Sequence, residues 1–117
     1  MAQKRTWTKA QSEAISDRGH DLLVSAGAGS GKTAVLTERI IRRLTDRENP
    51  LDITRMLIVT FTKAAASELK ERISSALSDA AAENPSVRIL TRLLFALVRA
   101  QICTIHRLCL DLLRENF

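Results

Sequence analysis

The stretch "AGAGSGKT", residues 26–33, decides how the rest of the sequence is interpreted. It follows the apolar run "DLLVSA" (residues 21–26), which predicts a buried strand. It precedes "KTAVLTERIIRRL" (residues 32–44), where apolar residues recur at every fourth position and predict a helix with one apolar face. A glycine-rich turn between a strand and a helix can bind phosphate through backbone N–H groups and the helix N-terminus. The alternative is a structural Gly/Ser-rich turn with a coincidental Lys-Thr pair.

The individual residues of this stretch fit a site for ATP and Mg²⁺. The glycines permit a tight turn whose N–H groups point at an anion. The Lys-Thr pair is expected to supply an ammonium group to the β- and γ-phosphates and a hydroxyl to Mg²⁺. Alanine stands first, where the pattern usually has glycine, and one methyl group should be tolerated there. The predicted nucleotide-binding residues are Ala26, Gly27, Ala28, Gly29, Ser30, Gly31, Lys32 and Thr33, with Lys32 and Thr33 also predicted to be catalytic.

Helical and strand patterns alternate along the remaining sequence, which predicts an α/β fold with a parallel sheet. Thr8 and Gln11 have the spacing of a capping box at the start of a first helix. Glu68 and Arg72 have the spacing of an ion pair on one helix face. The predicted helices are 7–15, 32–44, 63–77, 87–100 and 106–117, the predicted strands are 21–26, 55–62 and 101–105, and a polar loop is predicted at 78–86.

The composition fits one small domain that can have an anionic partner. The chain has 117 residues and a net charge of +5, which suits nucleic acid or nucleotide but also suits ordinary solubility. Cys103 and Cys109 lack metal-site spacing and are expected to be buried free thiols in a reducing compartment. The apolar stripe of Leu108, Leu112 and Leu113 is expected to pack in the core with Cys109. Without a signal peptide or a membrane-length apolar run, a cytoplasmic location is expected.

Three further motifs follow the order of a known family. They are "WTKAQSEAI" (residues 7–15), "LIVTFTKAAASELKERI" (57–73) and "ICTIHRLCLDLLRENF" (102–117). With the alanine-led phosphate motif, they resemble the superfamily 1 DNA helicases of the UvrD/RecB type. The resemblance covers residues 7–117 and implies a P-loop NTPase (RecA-like) domain with three layers, truncated at its C-terminus.

The resemblance assigns roles to residues outside the glycine-rich stretch. It implies that Gln11 binds the adenine edge, which an amide can do with one donor and one acceptor. It also implies contacts with single-stranded DNA from Thr62, Lys63, His106 and Arg107, which follow two predicted strands at their carboxyl ends. Arg107 stands where the family usually has serine, and is either an added phosphate contact or a neutral change.

Three aromatic or imidazole residues have structural alternatives. Phe61 either stacks on a DNA base or is a core residue at the end of a strand. His106 is a DNA-backbone contact by resemblance, or else a capping or core histidine. Trp7 lies beside the nucleotide base or fills space under the first helix.

The family implies an ATP-dependent 3′–5′ DNA helicase that processes single- and double-stranded DNA ends in recombinational repair. ATP and Mg²⁺ are the implied cofactors, and a second helicase/nuclease subunit is the implied partner. An adjacent Asp-Glu pair completes the ATPase site in the family, and this chain has none. Residues 1–117 are therefore expected to be the N-terminal part of a first RecA-like lobe, inactive by itself. The residues do not determine the polarity of translocation or whether a nuclease domain follows.

Three other functions are compatible with parts of the sequence. The chain could be a nucleotide- or DNA-binding module without turnover, or part of a UvrD-type helicase without a nuclease. A small-molecule kinase or another NTPase could share the phosphate motif. Such an enzyme would have no physical reason to carry "TFTKAAASELKERI".

Overall fold

The computed structural model of the chain describes residues 5–27, 29, 31–83 and 87–117, the last segment without the side chains of 87–90. Its elements alternate between helix and strand, so the predicted α/β class with a parallel sheet is confirmed. The helices are α1 (Lys9–Ser16), α2 (Lys32–Leu44), α3 (Lys63–Glu83), α4 (Val87–Leu97) and α5 (Ile105–Asn116); the strands are β1 (Leu57–Thr60) and β2 (Gln101–Thr104); a short 3₁₀ turn spans Ile53–Arg55.

The two strands pair in parallel, with Leu57 opposite Gln101 and Thr60 opposite Thr104. Parallel strands require a crossover connection, and α3 and α4 provide it. Both strands therefore end at the same edge of the sheet, one strand spacing apart. The strands predicted at 55–62 and 101–105 are confirmed in their central residues.

The strand predicted at residues 21–26 is wrong. Residues 21–27 form neither strand nor helix, and Leu23 is 93% exposed. A strand needs a hydrogen-bonded neighbour, and within the described residues the sheet contains only β1 and β2. Apolar composition favours burial, but it cannot supply the neighbouring strand.

The core lies around α3, which contacts α2, α4 and both strands. Its buried face consists of Leu69, Ile73 and Leu77, spaced four residues apart. From α2, Ile40 and Leu44 join the same cluster, whereas Leu36 on that predicted face is exposed. Apolar packing between α3 and its neighbours thus holds the sheet in place.

Helix α3 is longer than predicted, because residues 78–83 are helical rather than a loop. Ala80 and Ala81 pack against the core cluster, so tertiary contact and good helix propensity extend the helix. The remainder of the predicted loop, residues 84–86, lies outside the described residues. Helix α4 ends at Leu97, three residues before its predicted end.

The predicted core packing of the α5 stripe is wrong. None of the α5 residues is buried, and Leu112 and Leu113 are 51% and 57% exposed. Cys109 is also exposed and Cys103 half-buried, so both are free thiols but neither is buried as predicted. Among the described residues, α5 touches the sheet edge only, which leaves the stripe uncovered.

The buried face of α3 generates a stability prediction. Leu77→Ala should lower the free energy of unfolding by about 2–5 kcal/mol, because a fully buried side chain is replaced by a cavity. Urea denaturation followed by circular dichroism measures the change. Leu113→Ala on the uncovered face of α5 is the matched control and should change stability by less than about 0.5 kcal/mol. Equal losses in the two variants would contradict this assignment of the core.

Candidate functional site

The glycine-rich segment before α2 adopts a left-handed backbone. Gly29 has φ +78° and Gly31 has φ +83°, a region where a side chain on an L-residue is strained. Gly31 is the N-cap of α2, and its carbonyl accepts the bond from Val35 N at 3.0 Å. The predicted nucleotide-binding residues Ala28 and Ser30 lie outside the described residues.

Lys32 folds back over this segment. Its Nζ donates a hydrogen bond to the carbonyl oxygen of Ala26 at 2.9 Å, so the ammonium group spans the glycine-rich turn. Lys32 and Thr33 both lie in the first turn of α2, where Lys32 is half-buried and Thr33 exposed. That turn contains no acidic residue and has no side-chain cap, so the positive end of the helix dipole is not neutralised by the helix itself. The arrangement has the electrostatics of an anion-binding helix N-terminus.

Helix α1 brings Gln11 against the glycine-rich segment. Thr8 N donates to Gln11 Oε1 at 3.0 Å, and Gln11 N donates to Thr8 Oγ1 at 3.2 Å, which confirms the predicted capping box. A Cβ built on Gly31 would lie 3.6 Å from Gln11 Nε2. The capping bond to Oε1 therefore fixes the amide next to the start of α2. Trp7 is half-buried nearby in sequence, with the Arg5 guanidinium 5.4 Å from its ring centre.

Sequence reasoning missed the residue that fixes α1 to α2. Arg39 Nη1 donates to the carbonyl oxygens of Ala14 and Asp17 at 2.8 and 2.7 Å, and thereby binds the C-terminus of α1. Helix α1 has no basic residue in its own last turn, so Arg39 satisfies carbonyls that the helix leaves open. The signal in the sequence was an arginine within the otherwise amphipathic helix 32–44.

A second arginine reinforces the same helix end. Arg18 Nη1 donates to Ile15 O and Asp17 O at 2.7 and 2.8 Å. Desolvation lowers the pKa of Arg18, and the neighbouring positive charges of Arg39 and Arg43 lower it further. Both Arg18 and Arg39 are thus engaged in holding α1, and through it Gln11.

A different group of predicted residues lies at the edge where β1 and β2 end. Phe61, Thr62 and Lys63 follow β1, and His106 and Arg107 follow β2 as the second and third residues of α5. Because Thr60 pairs with Thr104, the parallel register brings the two groups side by side. Sequence reasoning placed them at this edge, which is where open α/β sheets bind ligands.

The core alternatives for Phe61 and His106 are wrong. Phe61 is 87% exposed and His106 is exposed. The N-cap of α5 is Thr104, whose Oγ1 accepts from Arg107 N at 3.1 Å, so His106 does not cap that helix. Thr104 is buried, and its capping role was not recognised from the sequence.

Both helices that start at this edge have capped N-termini without acidic residues. Thr62 Oγ1 accepts from Ala65 N at 3.1 Å, in the first turn of α3. Neither α3 nor α5 has an acidic residue in its first turn. Two helix dipoles therefore direct their positive ends towards Phe61 and Lys63.

Arg107 makes an ion pair with Asp111 along α5. Its Nε donates to both carboxylate oxygens at 3.0 Å. The side chains are 61% and 42% exposed, so water and dissolved ions reach the pair. The predicted DNA contact is therefore bound to a carboxylate in this structure.

Residues 7–117 match the model of the UvrD/REP helicase N-terminal domain. The chain belongs to this family. The match includes the glycine-rich segment, Gln11 and the whole sheet edge described above, and it confirms the family resemblance inferred from the four motifs.

Curated relatives of the chain carry the name AddA, the large helicase/nuclease protein that depends on ATP. The protein from Acetivibrio thermocellus is 54% identical over 117 residues, which is 100% of this chain. Those from Clostridium acetobutylicum and Clostridium novyi are 52% and 57% identical over 114 and 111 residues, 97% and 95% of the chain. The chain spans 9% of the length of each of these relatives.

The left-handed conformation of Gly31 generates the second prediction. Gly31→Ala should destabilise the chain by about 1 kcal/mol, because an alanine is strained at positive φ. Gly27→Ala is the matched control, since Gly27 does not have positive φ and a Cβ there meets no atom within 4 Å. Midpoints of urea denaturation compare the two variants. A control variant that loses as much stability as Gly31→Ala would contradict the conformational explanation.

Proposed function

We propose that the chain forms the N-terminal part of a first RecA-like lobe in a UvrD-type helicase, with a P-loop for ATP and a separate edge for single-stranded DNA. The observation that carries the proposal is the position of Gln11 Nε2 beside Gly31, at the uncompensated N-terminus of α2. An amide next to a phosphate-binding helix start suits a nucleotide, which has a polyphosphate and a base to recognise. The family match supports the same assignment.

The ATP polyphosphate would bind over residues 26–33. Lys32 bonds a neutral carbonyl in this structure, and a phosphate oxygen is a stronger, charged acceptor for the same ammonium group. Nucleotide would therefore replace the Ala26 carbonyl as the partner of Lys32. Gln11, held by Thr8, would read the adenine edge through its amide.

Thr33 would contribute its exposed hydroxyl to the Mg²⁺ that accompanies ATP. When bound, Mg²⁺ neutralises charge on the β- and γ-phosphates. Within the described part of the chain, no group of three His, Cys, Asp or Glu side chains is arranged to hold a metal. The chain's own contribution is thus one hydroxyl, a site that fits a metal delivered together with nucleotide.

Single-stranded DNA would bind along the carboxyl edge of β1 and β2. Phe61 offers an exposed ring on which a base can stack, and Lys63 offers a cation for phosphate. His106, Arg107 and the hydroxyl of Thr62 lie beside them, where the N-termini of α3 and α5 add favourable dipoles. Stacking combined with phosphate contacts binds a single strand without requiring a particular sequence.

The activity proposed for the complete protein is that of an ATP-dependent 3′–5′ helicase that acts on DNA ends in recombinational repair and pairs with a second, AddB-like protein. The relatives are named as ATP-dependent helicase/nuclease subunits, which supports this proposal. A cytoplasmic location stays a prediction. Among the helices described here, none combines the length and the apolar character needed to cross a membrane.

A module that binds nucleotide and DNA without hydrolysis is the second candidate for these 117 residues. The absence of an Asp-Glu pair from the sequence favours it, since that pair completes the hydrolytic site in the family. ATP hydrolysis by the purified chain that disappears in Lys32→Ala would exclude this candidate. We expect no hydrolysis above background.

The nucleotide site is tested through Lys32. Lys32→Ala should weaken Mg-ATP binding at least about tenfold, because a charge-assisted bond to phosphate is lost. A titration followed by the amide signals of Gly29, Gly31 and Thr33 measures the affinity, and the melting temperature without nucleotide should not change. Lys63→Ala is the matched control and should bind Mg-ATP normally. Loop signals that remain unchanged at millimolar nucleotide in the wild-type chain would refute the site.

The DNA edge is tested through Lys63. Lys63→Ala should weaken binding of a fluorescent oligothymidylate of about 12 nucleotides. It should also reduce the slope of log affinity against log salt by about 0.7, the value for one phosphate contact on a single strand. Phe61→Ala should lower affinity while leaving that slope unchanged, because stacking releases no counterion. Lys32→Ala serves as the control for nucleotide-free DNA binding, and an equal loss in that variant would refute the assignment.

A further inference from the structure

The ion pair between Arg107 and Asp111 differs from the other helix ion pairs in the described part of the chain. Three pairs there have i,i+4 spacing: Glu38–Arg42, Glu68–Arg72 and Arg107–Asp111. In the first two the acid precedes the base, the order that complements the helix dipole. In the third the base comes first, so a cation lies near the positive end of α5. Helix stability therefore gives little reason for this arrangement.

The geometry of the pair determines where the Arg107 charge is held. Side chains on a helix lean towards its N-terminus, which for Arg107 is the edge where Thr60 and Thr104 end. The carboxylate of Asp111 lies one turn further along α5 and binds Nε through both oxygens at 3.0 Å. The pair thus holds the guanidinium back from the edge and neutralises its charge.

The pair remains open to exchange. Both side chains are substantially exposed, so the attraction between them is screened and weak. Among the described residues, neither terminal Nη group of Arg107 has a hydrogen-bond acceptor. A phosphate at the edge could therefore bind these donors and draw the guanidinium away from Asp111.

We propose that Asp111 is an internal competitor for Arg107, which lowers the affinity of the sheet edge for nucleic-acid phosphate. The proposal rests on the DNA-binding edge proposed above. Asp111 is a positioning residue, because it acts on DNA only through Arg107. The physical consequence is a phosphate contact that forms and releases easily, since a carboxylate replaces each departing phosphate.

The test removes the carboxylate charge while keeping the side-chain shape. Asp111→Asn should raise the affinity for fluorescent oligothymidylate about two- to fivefold at low salt, the range expected for releasing a surface ion pair. The salt slope should become steeper by up to about 0.7, because Arg107 then releases a further counterion. Glu68→Gln is the matched control, since it frees Arg72 from the same i,i+4 spacing on α3 away from the edge. It should change affinity by much less.

A double-mutant cycle separates competition from a general effect of charge. Arg107→Ala should weaken binding, and adding Asp111→Asn to that variant should restore nothing. If Asp111→Asn raises affinity equally with and without Arg107, or if it weakens binding through Arg107, the competitor role is overturned. Unchanged affinity in Asp111→Asn, in a chain where Lys63→Ala does weaken binding, overturns the competitor role alone. Failure of the wild-type chain to bind oligothymidylate in a salt-dependent manner would overturn the DNA edge itself.

Discussion

The parallel register of β1 and β2 is the constraint on which the sheet edge depends. Parallel strands need a crossover, and that crossover is α3 and α4 packed on the core. Because the strands run in the same direction, the chain leaves both at one edge and starts a helix there each time. Two loops that are about 40 residues apart in sequence thus present Lys63 and Arg107 together.

A comparable constraint acts on the nucleotide-binding candidate, but through helix ends rather than strands. Arg39 binds the last carbonyls of α1, and the capping box fixes its first turn. The short helix is therefore held at both ends, and Gln11 cannot move far from Gly31. Positive φ at Gly31 then sets the direction in which α2 begins. Together these contacts prepare a base-reading amide and a phosphate-binding helix start before any ligand is present.

Features that depend on neighbouring residues could be predicted from the sequence, and features that depend on distant partners could not. The Thr8–Gln11 capping box, the Glu68–Arg72 pair and the bounds of α2 need only residues a few positions apart. The strand at 21–26 and the core packing of α5 require an element to pair with or pack against, and composition alone cannot provide it. Exposure of Phe61 was undecided for the same reason, because strand ends are buried or open according to what lies over them.

Exposed apolar or basic residues do not by themselves locate a nucleic-acid site, and their engagement by the rest of the chain separates the candidates. A groove of about 480 Å³ beside β1 is lined by Arg18 and Arg39, yet both guanidiniums already donate to α1 carbonyls. Leu23 is as exposed as Phe61, but no helix N-terminus or lysine directly follows it. At the sheet edge an aromatic ring, a lysine and two helix dipoles coincide, and its arginine is held only by a solvent-exposed carboxylate. Phosphate can compete with that carboxylate, whereas it cannot readily displace guanidiniums that hold a helix end in place.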